Sequence, residues 1–199
     1  MNEEIEMQLI FLTHPQVVVD PAVPVERWSL SQAGRTALQQ FLERALWPVP
    51  DIIWSSTETK AQETAALLAE HFNCAVQSDI RLGENDRSAT GFLPAEEFEQ
   101  VADTFFAHPD CSVRGWEKAA DAQARVYGAM NEIINESVRL QHKTVIICGH
   151  GATGTLLYCA LAGVPISRHY DQPSQGHYWR YNSETKQMLH HWQNLHELT

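Results

Sequence analysis

The chain alternates short unbroken apolar runs with longer stretches in which apolar residues recur at helical spacing. Gln8 to Thr13 is the first run, and it ends at His14. Successive side chains of a strand face opposite ways, so a run that is apolar at every position predicts a strand covered on both faces. Asp51 to Trp54 and Lys143 to Cys148 read the same way, the latter carrying β-branched Val145-Ile146-Ile147. Ala75 to Ile80 is a further strand candidate, and His177 to Tyr181 with Met188 to Trp192 a late hairpin.

Between the strands lie helical patterns. Ser31 to Trp47 spaces Ala37, Leu38, Phe41, Leu42 and Ala45 on one face, with Ser31 as cap. Thr57 to Phe72 does so with Ala61, Ala65, Leu68 and Ala69, and Ser55-x-x-Glu58 has the form of a capping box. Pro94 to Ala107, Gly115 to Leu140 and Ala152 to Leu161 complete the helices. The three prolines between Pro15 and Pro24 predict an irregular extended loop, and polar Gly83 to Pro94 a second one. Strands alternating with helices predict an α/β fold. The expected architecture is a three-layer α/β/α sandwich around a largely parallel sheet, in one domain spanning residues 1–199.

Composition narrows the partners. Among 199 residues, 14 Lys+Arg stand against 25 Asp+Glu, a formal net charge of −11. That balance argues against nucleic acid or an anionic membrane surface as partner, while leaving room for a local basic pocket. The longest apolar runs are too short to cross a bilayer, and Met1 to Glu6 is acidic where a secretory signal would be basic. The four cysteines (74, 111, 148 and 159) form no CxxC pair. There is no HxH or HExxH, so neither a metal nor a cofactor is expected, and the expected location is cytoplasmic. His190, His191 and His196 could suit a metal, but scattered histidines on a half-buried strand are the simpler account.

Ligands of open α/β sheets bind beyond the carboxyl ends of the strands. The residues there are Thr13-His14, Ser55 through Lys60, and Gly149-His150-Gly151. Lys60 falls in the first turn of its helix, where the macrodipole disfavours a cation by up to about 1 kcal/mol, so an anion in front of it is expected. The Gly-His-Gly turn offers free backbone N–H groups suited to a phosphate.

These residues also carry a resemblance. Leu12-Thr13-His14-Pro15 resembles a variant of the Arg-His-Gly signature of the histidine phosphatase (phosphoglycerate mutase-like) superfamily. Ser55-Ser56-x-x-x-Lys60-Ala61-x-x-Thr64-Ala65 is similar to its Ser-Ser-x-x-x-Arg-Ala-x-x-Thr-Ala block. Leu82-Gly83-Glu84 resembles its Leu-x-Glu, Cys148 to Ala152 its second-histidine motif, and Leu30-Ser31-x-x-Gly34 the opening of its first helix. The blocks run in family order.

The resemblance implies that His14 is the nucleophile of a metal-independent phosphomonoesterase, forming a phosphohistidine that water hydrolyses. His150 would stabilise charge on the transferring phosphoryl group. Glu84, with Asp86 as rival, would protonate the leaving group. Thr13, Lys60, Arg27 and the Ala152 N–H would bind substrate. Thr13 and Lys60 stand where the family has arginines, so a weakened pocket is expected, with Arg27 or Arg87 as substitute cation. The implied partner is a small phosphorylated molecule or a phosphoprotein. The Val17-Val18-Val19 loop and Phe105, Phe106 and Trp116 hint at a substrate less polar than a sugar phosphate. A non-catalytic phosphate- or phosphoprotein-binding module is the alternative, and a phosphoglycerate mutase-type phosphotransferase fits the acidic chain less well.

Overall fold

The computed structural model describes residues 7–44 and 47–195. Met1 to Glu6, Ala45 and His196, which figure in the sequence-based expectations, lie outside the described residues. Among the described residues the α-helices and strands follow in chain order: β1 (Gln8–Thr13), α1 (Gln32–Arg44), β2 (Ile52–Ser55), α2 (Thr59–Phe72), β3 (Val76–Ser78), α3 (Ala95–Ala107), α4 (Ala119–Arg139), β4 (Thr144–Gly149), α5 (Gly151–Ala162), β5 (His177–Asn182) and β6 (Gln187–Asn194).

The sheet order is β3-β2-β4-β1-β5-β6. Strands β3, β2, β4 and β1 run parallel, as expected when helices cross between them. Strand β5 is antiparallel to β1 and to β6; residues 183–186 are too short a link for a crossover, so β5 and β6 form a hairpin. The sheet is thus mixed, with a parallel centre and an antiparallel edge hairpin.

Alternation along β1 splits the core into two layers. Leu9 and Phe11 face α4 and α5, packing with Val126, Met130, Ile133 and Leu157. Ile10 and Leu12 face α1 and α2, packing with Leu38, Phe41, Ala65 and Leu68. The Phe11 ring stacks on Trp179 with centroids 5.0 Å apart and planes 10° apart. Helix α3 adds a smaller cluster in which Val101, Phe105 and Phe106 meet Trp116 and Leu156.

Two local expectations change. The Ser55-x-x-Glu58 capping box does not form: α2 begins at Thr59 with Glu58 at the N-cap position, and Ser55 Oγ pairs with Ser78 Oγ instead. Helix α4 begins at Ala119 rather than Gly115, because Arg114 and Gly115 take positive φ (53° and 82°) in the preceding turn. The Ser31 cap does form, its Oγ accepting from Gly34 N at 3.0 Å.

Gly34 is where the proline-rich loop and α1 meet. A Cβ there would lie 2.3 Å from the Gln16 carbonyl oxygen, whereas one at Gly128 in α4 would meet nothing within 4 Å. Gly34→Ala is therefore expected to destabilise by about 1–3 kcal/mol through overpacking. Gly128→Ala is expected to stabilise by roughly 0.4–1 kcal/mol. Urea unfolding of both variants checks the pair of opposite signs; equal effects would contradict the close approach.

Candidate active site

Parallel pairing of β1 with β4 sets Thr13 opposite Gly149, so the next residues, His14 and His150, emerge side by side. His14 N donates to Gly149 O at 3.1 Å, and the two imidazole centroids are 5.4 Å apart, edge to face. Gly149 is required at this strand end, since a Cβ there would press within 2.5 Å of the Phe11 ring.

His14 Nδ1 lies 2.9 Å from the Pro15 carbonyl. A carbonyl can only accept, so Nδ1 carries the proton and Nε2 of the neutral ring keeps its lone pair. Burial, reinforced by the Lys60 ammonium, lowers the His14 pKa to about 4. Burial also lowers that of His150, with Lys60 acting in the same direction and Glu58 opposing. Both rings are therefore neutral at pH 7.

Two of the site's donors are held by one carboxylate, which also approaches His150. Glu58 Oε2 pairs with Lys60 Nζ, and Glu58 Oε1 accepts from Glu84 N at 2.7 Å and lies 3.4 Å from His150 Nε2. Against burial, which would raise it, His150 and Lys60 hold the Glu58 carboxyl well below the usual range. The anion that Lys60 demands in the first turn of α2 is thus the chain's own. Lys60 Nζ also donates to Val25 O at 2.9 Å, and His150 Nε2 is 2.7 Å from Ser56 Oγ.

A second carboxylate does the same at α5. Glu84 accepts from Thr153 N at 2.9 Å and from Ala152 N at 3.2 Å, so the Ala152 N–H expected to meet substrate is turned to Glu84. The loop carrying Glu84 is fixed from behind by Arg125 of α4, which donates to the carbonyls of Arg81, Gly83 and Glu84.

His14 and Glu84 both line a cavity of about 300 Å³ that also touches Asn85, Arg87, Phe98, Phe105, Trp116 and Gln172. A larger neighbour of about 730 Å³ is walled by Pro21 to Glu26, by Glu58 and again by Glu84, Asn85 and Arg87. Asp86 lines only the larger cavity and accepts from Ser88 N at 2.8 Å, which places Glu84 rather than Asp86 beside His14. The aromatic residues singled out in the sequence do face the His14 cavity. Val17 is buried, whereas Val18 and Val19 are exposed.

Thr13 is fully buried; its Oγ1 donates to Gln172 Oε1 at 2.7 Å and accepts from His177 N at 3.0 Å. Its hydroxyl is spent on the protein and does not take the place of a phosphate-clamping arginine. Arg27 is exposed on a short turn over residues 25–27, one step past the cavity wall. His190 and His191 rest on Tyr178 and Tyr158. Burial pushes the Cys148 thiol up, away from reactivity. Sequence reasoning singles out none of Asn85, Arg125 and Gln172, and it names Ser56 and Glu58 within the stretch from Ser55 to Lys60 without their contacts to His150 and Lys60.

Known proteins bear on these residues. The family model described as histidine phosphatase superfamily (branch 1) matches residues 25–191, a stretch that holds Lys60, Glu84 and His150 and begins after His14. The chain is 28% identical over 148 residues to phosphoserine phosphatase 1 of Hydrogenobacter thermophilus, covering 71% of this chain and 68% of that protein. The mycobacterial glucosyl-3-phosphoglycerate phosphatase structure with inorganic phosphate overlays with TM-score 0.78 at 19% identity, over 96% of this chain and 100% of that one. Bacillus stearothermophilus YhfR overlays with TM-score 0.75 at 20% identity, over 97% and 98%. At these identities the two structures share the fold. Among the described residues no helix is long and apolar enough to cross a membrane.

The lowered histidines have a signed consequence. Their folded pKa values lie below the unfolded 6.5, so neutral burial contributes stability that is complete above about pH 6.5 and lost as pH falls towards 4. Imidazole NMR titration is expected to find His14 neutral down to about pH 5, with global stability falling over the same acid range. Protonation of His14 above about pH 6 would contradict the site described.

Proposed function

The chain belongs to the histidine phosphatase superfamily (branch 1), and on that premise we propose that it is a metal-independent phosphomonoesterase working through a phosphohistidine on His14. One observation supports this most: the Nδ1–H to Pro15 bond leaves Nε2 of a neutral His14 as an unprotonated nitrogen on a cavity beside His150. A neutral imidazole needs no separate base to attack phosphorus.

In the first step the Nε2 lone pair forms the N–P bond as the ester P–O bond breaks. Glu84, on the same cavity as His14, delivers a proton to the leaving oxygen. Lys60 and His150 stabilise the charge gathering on the phosphoryl oxygens, once Glu58 swings away from them. Water then attacks phosphorus and gives its proton to Glu84, the N–P bond breaks, and orthophosphate leaves with the His14 lone pair restored. The phosphatases named among the relatives support a small phosphorylated molecule as substrate, with a phosphoprotein as the broader possibility.

Glu58 also favours a second reading, a phosphate-binding module without turnover, because a ligand must displace this carboxylate before it reaches Lys60 or His150. Hydrolysis of an aryl phosphate in the presence of EDTA separates the two. Phosphate release that His14→Ala lowers at least about a thousandfold supports the esterase; saturable phosphate binding with no release supports the module. In either case Glu58→Gln is expected to tighten inorganic phosphate about tenfold, because a neutral amide competes less for Lys60. Phosphate competition or direct calorimetry reads this out, and weaker binding in Glu58→Gln would contradict the internal-anion role.

A further inference from the structure

Three residues, Glu84, Asn85 and Arg87, line both cavities and so mark their junction. Asn85 is 3% exposed, and its Nδ2 is buried without a hydrogen-bond partner. A buried donor left unpaired is costly, which suggests that an acceptor arrives from outside the chain. Arg87 presents a similar surplus. Its guanidinium carbon sits 5.1 Å from the Phe98 ring centroid and 5.6 Å from that of Trp116, so two aromatic faces hold the side chain in place. Among the described residues no carboxylate pairs with it. The other arginine on the smaller cavity, Arg168, is by contrast tied to Glu99 and Asp103.

We propose that Arg87 and Asn85 form a subsite for a carboxylate on the leaving group, so that the preferred substrate is a small phosphomonoester bearing a carboxylate. This rests on the phosphatase-site reading, which places the phosphoryl group at His14 on the same cavity. The Arg87 guanidinium and the Asn85 amide line the same cavity, and both carry N–H donors that a carboxylate accepts. The surroundings select a single negative charge over a second phosphate: Glu26, Glu58 and Asp86 line the adjoining cavity, and a dianion would meet their repulsion. His14 and Arg87 line the same cavity of about 300 Å³, a volume that suits a leaving group of a few carbons.

Hydrolysis-proof ligands test this without requiring turnover. 3-Phosphonopropionate and propylphosphonate differ in the terminal carboxylate, and calorimetry at neutral pH compares them on the full chain. Wild type is expected to bind the carboxylated ligand about 10- to 100-fold more tightly, the worth of charge-assisted hydrogen bonds. Arg87→Gln is expected to collapse that ratio to within about twofold, and Asn85→Ala to reduce it. Residual propylphosphonate binding reports that each variant remains folded. Equal affinity of the two ligands for wild type, or a ratio that survives Arg87→Gln, would overturn the subsite while leaving the phosphate site standing. If wild type binds neither phosphonate nor inorganic phosphate, the phosphatase-site reading fails and the subsite falls with it.

Discussion

The register between β1 and β4 is the constraint on which the site depends. Because Thr13 pairs with Gly149, the two histidines leave adjacent parallel strands at the same height, and His14 N closes the ladder on Gly149 O. A slip of one residue would turn His14 to the opposite face of the sheet and separate it from His150. The register is protected by burial on both faces. Leu9 and Phe11 fit one layer, Ile10 and Leu12 the other, and Phe11 fills the space that Gly149 leaves open.

Bringing Lys60 and two histidines together at the strand ends has an electrostatic consequence. A buried ammonium needs a counter-charge, and helix N-termini carry unpaired N–H groups. The chain supplies both answers itself, Glu58 to Lys60 and His150, and Glu84 to the start of α5. The same two carboxylates that satisfy these donors therefore stand between a phosphate and the groups that would hold it. Glu84 keeps its place on the cavity with His14, where proton delivery would be required, whereas Glu58 must yield. On the proposed function, competition between an internal and an external anion, rather than the loss of arginines alone, would set how tightly phosphate binds.

Much of this is legible in the residues. Runs such as Val145-Ile146-Ile147 announce buried strands, and the strand-end rule by itself gathers His14, Lys60 and His150 at one crevice. The first-turn position of Lys60 signals an anion but not its source, because the source depends on how Glu58 orients in the folded site. The capping-box pattern misleads because α2 starts at Thr59: Glu58 falls at the N-cap, and its carboxylate meets Lys60 and the Glu84 N–H instead. Thr13 reads as a weakened donor, yet its contact with Gln172 joins residues far apart in the chain. Arg125 behind the Glu84 loop is likewise a product of tertiary packing, with no local pattern to reveal it.

The proposed nucleophile can be examined most directly by trapping it. The protein would be mixed with excess aryl phosphate, quenched in alkali within the first turnovers, and its intact and peptide masses recorded. Attack by His14 Nε2 predicts one added phosphoryl group on the His14 peptide, stable to alkali, released by acid and missing in His14→Ala. Steady hydrolysis with no adduct at His14, or with the phosphoryl group on another residue, would contradict the central role given to this histidine.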